Sequence, residues 1–405
     1  FMIGLWIVGG LIALAGALCY GEIGAAIPKA GGEYIFLTEL YHPLLGFLSG
    51  WVSFIAGFSA PIAASSIGFS EYLHRALPDL FVNPFIGVQV TKNLFSVAIV
   101  LIFTLIHLQG IAFGSKVQNY LTLLKIGLLL GLILLGFSFG EGNFQHFETT
   151  ETRVFNVANL KNAGLALMWI MFAYSGWNAA TYIGAEIKKP EKNLFLSLFI
   201  GTLLVVLLYA GINMLFVYAI HPEEMRGVIP VGGLAINNLF GQSMDQLFSL
   251  MIAVALFSSI SAFIILGPRV YYAMANDGYF FKFASKINSR TGVPSHSIAF
   301  QAGISIIIIL SGTFDQILTY IGFSLGIFPI LVAFSLFKLR KQGRSAIKLP
   351  GYPFIPVFFI LSATTILVLA FIERPFESSM ALLVLLAGIP FYFYFLKHKH
   401  QTTKR

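Results

Sequence analysis

Apolar stretches of lipid-crossing length follow one another along almost the whole chain, near residues 2 to 20, 44 to 70, 93 to 110, 120 to 139, 162 to 187, 194 to 219, 246 to 275, 296 to 312, 314 to 337, 353 to 372 and 378 to 396. A helix needs about 20 such residues to cross roughly 30 Å of hydrocarbon. Only helices and closed barrels satisfy their backbone polar groups there. The sequence therefore predicts an all-α polytopic membrane protein with 11 spans. Composition agrees: 57% of the 405 residues are hydrophobic and 10% charged, against roughly 25% charged in an ordinary globular domain.

The net charge of +8 does not indicate nucleic acid, because the bases fall in short runs between apolar segments without a basic domain interleaved with aromatics. It reads instead as a topology signal. If the loop after the first span is cytoplasmic, nineteen of the 25 Lys and Arg residues lie inside and six outside. The positive-inside rule then places the C-terminus in the cytoplasm, as in a multi-pass protein of the plasma membrane, for a bacterium the inner membrane. An odd number of spans leaves Phe1 outside with no initiator Met before it. On this reading the chain is a fragment. The outer loops at 140 to 161 and 220 to 245 are the longest, and no low-complexity linker divides the chain, so residues 1–405 are expected to form one transmembrane domain.

Within the fifth window, Phe172-Ala173-Tyr174-Ser175-Gly176-Trp177-Asn178 interrupts what would otherwise be a continuous helix. Gly176 has no Cβ, and Ser175 and Asn178 can hydrogen-bond backbone groups that leave the helical ladder. Non-helical backbone at membrane depth is tolerated only inside protein or beside a water-filled cavity, so the break marks a solute site. A packed glycine kink is the bland alternative. Transporters built on inverted repeats place two broken helices at equivalent positions with the solute between them. Five spans counted from the break end near Leu339 and leave two accessory spans, but only four spans precede it. The count predicts residues 1–139 as a first repeat lacking its first helix, 162–339 as a second repeat and 353–397 as two accessory helices. The missing helix would carry the other half of the site, so the chain as written is not expected to transport.

Four segments carry a family resemblance. "FAYSGWNAATYIGAEIKKPEKN" (Phe172 to Asn193), "LAGALCYGEIGAAIPKAGGEYIFL" (Leu14 to Leu37), "VQNYLTLLKIGLLL" (Val117 to Leu130) and "GPRVYYAMANDGYF" (Gly267 to Phe280) resemble, in order and spacing, the amino acid/polyamine/organocation (APC) superfamily, closest to its L-type amino acid transporter branch. The resemblance covers essentially the whole chain and implies a 5+5 inverted-repeat transporter fold of the leucine-transporter type. It further implies a secondary active amino acid permease or exchanger that works by alternating access. In that family the first span carries a Gly-rich break that receives the substrate carboxylate, and this chain has no such span before the "LAGALCY" segment.

The resemblance assigns the freed carbonyls around Phe172, Ala173 and Ser175 to the substrate ammonium, Phe172 to an aromatic gate, and Tyr174, Gly176, Trp177 and Asn178 to the same substrate-binding segment. Lys125, nine residues past Lys116 or about 13 Å along a helix, either snorkels or sits inside the bundle with partner oxygens. In relatives without sodium coupling a lysine in this span resembles a fixed replacement for sodium. Ser258, Ser259 or Ser261 would supply the facing oxygen, and transport is expected to be sodium-independent. Glu22, Glu186 and Arg269, near the inner ends of spans, are candidates for pairing across a cytoplasmic gate. His107 reads as a packing residue.

No Asp or Glu lies deep within a span, so a cationic side chain would find no buried counter-charge there. Neutral amino acids are favoured; a cationic amino acid or polyamine antiporter is the alternative, and an amino acid sensor without transport another. There is no HExxH pair, paired carboxylate set or GxSxG elbow, so no enzyme, metal or cofactor chemistry is expected. The lone Cys19 sits in an apolar stretch, which argues against a disulfide-linked ancillary subunit.

Overall fold

The computed structural model describes residues 2–82, 85–148, 157–311, 314–345 and 347–402. Thirteen α-helices make up the fold as labelled here: α1 (Met2–Ala26), α2 (Glu33–Leu40), α3 (Pro43–Ala76), α4 (Val88–Leu108), α5 (Ile111–Phe139), α6 (Val157–Ala173), α7 (Pro190–Ala219), α8 (Val231–Phe240), α9 (Gln242–Asn276), α10 (Ser295–Ser311), α11 (Phe314–Lys341), α12 (Phe354–Glu373) and α13 (Pro375–Thr402). Nine helices among the described residues are long and apolar enough to cross a membrane. Every apolar window meets a helix, but α6 and α10 have only 17 residues each. The outer loop expected over 140 to 161 is described only to residue 148 and from residue 157.

Two close helix pairings frame the molecule, α1 on α7 and the second half of α3 on α9. Small residues explain the first. A Cβ built on Gly10, Gly21 or Gly24 would lie 2.9 Å from Val206, 2.7 Å from Phe195 or 2.7 Å from Leu194, all on α7. Glycine there lets two backbones approach without the hydrophobic drive that water supplies.

α3 is not regular. Ser53–Ser59 forms a π-helical segment, and Ser59 Oγ donates to the Phe54 carbonyl at 2.6 Å. Pro61 follows after Ala60; its ring carries no N–H and cannot continue the ladder to Gly57. Such bulges turn side chains out of register and recur at functional sites. Here the bulge turns Gly57 and Phe58 toward the centre of the bundle, where both line a cavity.

At one face of the molecule α1 and α11 end side by side. Glu22, fully buried, receives Arg340 Nε at 2.7 Å and Nη2 at 2.6 Å, the Ser345 hydroxyl at 2.6 Å and the Leu349 N–H at 2.7 Å. Arg340 also lies 3.9 Å over the Tyr352 ring. A buried carboxylate is tolerable when it is paired and hydrogen-bonded in this way. At the opposite face Arg75 Nε, at the end of α3, donates to Asp245 Oδ1 at the start of α9 at 2.8 Å.

Candidate functional site

The helix α6 stops at Ala173, in the segment where the sequence has its break. Ser175 N–H donates to the Phe172 carbonyl at 2.8 Å, and Gly176 follows with φ 98°. That conformation costs an L-residue energy and costs glycine little. The window to residue 187 does not resume as a helix. Two short 3₁₀ turns, Ala179–Tyr182 and Gly184–Glu186, carry the chain down. They pair with the loop before α2 through an antiparallel bridge from Ala30 to Ile183, with Gly31 N–H donating to the Tyr182 carbonyl at 3.1 Å.

The break is the shared wall of two cavities, since Phe172, Ser175, Gly176 and Trp177 line both. One is a trough of about 600 Å³ between α5, α7 and α9, whose wall includes Lys125, Ser258 and Ser259. The other, about 100 Å³, is bounded by α6, α9, α11, α12 and the π segment of α3. Trp177 stands between them, edge-on to Tyr20 at 4.8 Å and to Phe359 at 5.8 Å between ring centroids.

All seven residues of the break line one cavity or the other, and two of them are also tied into the fold. The Tyr174 hydroxyl donates to the Trp6 carbonyl at 3.1 Å and its ring meets Trp6 and Tyr209, so Tyr174 also anchors α6 to α1 and α7. The Ala173 carbonyl accepts from the Tyr209 hydroxyl at 3.0 Å. Together with the Ser175 bond to Phe172, this leaves two of the three carbonyls already engaged, each with one further lone pair.

Lys125 does not snorkel: its Nζ donates to Ser259 Oγ at 2.7 Å in the trough wall. Ser258 faces Thr122 at 3.3 Å and Gln118 at 3.4 Å instead. Ser261 contacts the buried His107 ring at 2.9 Å, a packing role for that histidine. The expected trio of inner charges is split. Arg269 meets Glu186 at 3.4 Å with Glu186 half exposed, but Glu22 is engaged by Arg340 rather than Arg269. The cause is depth: Glu22 lies a full turn inside α1 and reaches the end of α11.

Glu33 is the residue that sequence reasoning passed over. It starts α2 behind Gly31 and Gly32, whose φ values of 123° and 55° turn the chain sharply inward. Its carboxylate lines the smaller cavity. Tyr20 donates to Oε1 at 2.8 Å, Asn178 Nδ2 to Oε1 at 3.0 Å and Ser49 to Oε2 at 3.4 Å. Burial pushes the carboxyl up to about 7, against the hydrogen bonds from Tyr20, Ser49 and Asn178, which favour the ionised form. The expectation of no buried counter-charge at the site is thereby corrected. The only available signal was an acid next to two glycines in an apolar context.

A bundle of membrane-crossing helices, with a shorter apolar helix that breaks off at Ala173 between two cavities, has the features of a membrane permease for a small solute. The model for the family described as amino acid permease matches residues 1–390, and the chain belongs to that family. It is 30% identical over 403 residues to the serine/threonine exchanger SteT of Bacillus subtilis (strain 168), covering 97% of this chain and 88% of that protein. It is 28% identical over 414 residues to the b(0,+)-type amino acid transporter 1 of Mus musculus, with 99% and 82% covered. With the Asc-type amino acid transporter 1 of Mus musculus identity is 27% over 397 residues, with 96% and 73% covered. The chain is a multi-pass membrane transporter of amino acids, not an enzyme.

Proposed function

We propose that the protein exchanges neutral amino acids across the plasma membrane, without sodium, by alternating access around the break at Phe172 to Asn178. The observation that carries this reading is the shared wall: the same backbone faces two largely apolar cavities, a trough that carries Lys125, Ser258 and Ser259 and a smaller one that carries Glu33. A zwitterion needs charged and dipolar groups for its main chain and an apolar space for its side chain. The trough supplies the first through Lys125, the Ser258–Ser259 pair and main-chain groups of the break. The close pairings of α1 with α7 and α3 with α9, elements five spans apart, support an inverted repeat over 1–139 and 162–339 with two accessory helices beyond.

Lys125 on Ser259 supports sodium independence, because a fixed ammonium already occupies the space between α5 and α9. Glu186 with Arg269, and Glu22 with Arg340, are the groups we assign to closing the cytoplasmic side. The excess of Lys and Arg in one set of loops supports a cytoplasmic C-terminus, for a bacterial chain at the inner membrane. Cys19, the one cysteine of the chain, is buried in α1, so a disulfide to an ancillary subunit through it is not part of this reading.

The test is Asn178→Ala in the complete protein. Loss of a hydrogen bond to a charged partner at the cavity floor should lower amino acid uptake by about tenfold while the protein still reaches the membrane. Unchanged uptake contradicts the placement of the site.

A further inference from the structure

We propose that Glu33 determines specificity: its carboxylate accepts a hydrogen bond from the substrate's side chain, so that the site favours a small hydroxyl-bearing amino acid over its apolar isostere. The inference rests on the transport reading above and names the substrate class within it.

The first ground is the division of the site. The trough holds the fixed ammonium and the hydroxyls, which suit the charged main chain of an amino acid; the side chain then enters the cavity on the other side of the break. That cavity is walled by apolar groups, among them Met168, Met171, Phe263 and Leu325, and its polar groups gather where Glu33 meets Asn178. An apolar pocket ending in one strong acceptor is complementary to a short side chain that ends in a donor.

The second ground is what Glu33 lacks. An ionised carboxylate accepts about four hydrogen bonds. Among the described residues, two of the three donors crowd Oε1, and Oε2 has only Ser49 at 3.4 Å. Among the described residues all its partners are neutral. A buried charge left so lightly served gains from one more donor.

The third ground is mechanical. The loop that delivers Glu33 is bridged to the chain just below the break through Ala30 and Ile183, and Asn178 itself donates to the carboxylate. A side chain bound to Glu33 would therefore be felt by the moving part of the site. The groups facing Glu33 are Tyr20 from α1, Ser49 from α3, and Asn178 and Tyr182 from the chain after the break. None of them changes charge near neutral pH in solution, so a pH dependence of the ratio between two substrates that differ only in the side chain reports on Glu33.

The experiment compares threonine with valine, which differ by a hydroxyl in place of a methyl, in proteoliposomes containing the complete protein. Wild type is expected to prefer threonine by about tenfold, the factor one hydrogen bond to a charged acceptor supplies. Glu33→Gln should bring the ratio close to one while valine uptake persists, and Glu33→Asp should keep part of the preference. The wild-type preference should hold above pH 7 and decline as the carboxylate is protonated through about 7; the Glu33→Gln ratio should be flat with pH. Equal uptake of threonine and valine by wild type overturns the proposal. So does an equal loss of both substrates in Glu33→Gln, which would place Glu33 on the ammonium or in support of the fold. Preferential uptake of lysine that Glu33→Gln abolishes would overturn the hydroxyl assignment in favour of a cation. Should Glu33→Gln not fold, the wild-type ratio and its pH profile still decide. Absence of uptake of any amino acid would overturn the transport reading itself, and the proposal with it.

Discussion

Gly176 concentrates the logic of the site in one residue. Its φ of 98° would strain any L-residue, yet a Cβ there would meet no atom within 4 Å. Gly176→Ala therefore isolates the backbone from packing: it should cost roughly 1 to 3 kcal/mol at the break and slow uptake severalfold, measured as initial rate per amount of protein in the membrane. An unchanged rate would mean that the conformation at Gly176 plays no part in transport. Gly176 and Asn178 were legible in the sequence because glycine and amide side chains stand out in an apolar run. Glu33 was not, because it lies between spans and reaches the cavity only through the turn at Gly31–Gly32 and the bridge at Ala30. Tyr174 shows what the motif leaves out: it lines the trough, but its hydroxyl also donates to the Trp6 carbonyl, and no spacing rule reveals that second contact.

At the scale of elements, two kinds of join hold the bundle. Glycines set α1 against α7 at backbone distance, whereas a charged staple fixes the end of α1 to the end of α11. The staple gives a stability prediction. Glu22→Ala leaves the Arg340 guanidinium facing a buried hole and orphans the Leu349 N–H, so it should cost about 3 to 5 kcal/mol and lower the melting temperature of the purified protein in detergent. Replacing Glu22 and Arg340 together with Met should cost less than Glu22→Ala alone. The reverse order would show that the staple contributes as a net attraction rather than by mutual satisfaction. Apolar windows located the long helices but neither the short ones between them, α2 and α8, nor the irregularities: the π segment at Ser53–Ser59 required the meaning of Pro61 beside Gly57, and the second half of the fifth window looked helical because its residues are apolar enough to be so. Tertiary pairing with the loop before α2 draws that stretch into turns.

The whole molecule combines an asymmetric charge pattern with a central two-cavity site. The orientation we assign has a direct check. Because Cys19 is the one native cysteine and is buried, a Lys397→Cys variant offers a clean target for a membrane-impermeant thiol reagent. Labelling should occur from the cytoplasmic side and not from intact cells; labelling of intact cells would invert the topology. The ion pairs Glu22–Arg340 and Arg75–Asp245 tie opposite faces of the bundle, so alternating access must loosen these ties or swing the helices that carry them as bodies. The central claim is that the break from Phe172 to Asn178 forms an amino acid site which exchanges substrates without sodium. Counterflow tests it most directly: proteoliposomes holding the complete protein are loaded with unlabelled neutral amino acid, and entry of labelled amino acid is followed with sodium replaced by choline outside and inside. The account predicts rapid labelled uptake into loaded vesicles, little into empty ones, and no dependence on sodium. Uptake that ignores the internal substrate, or that disappears when sodium is removed, would contradict it.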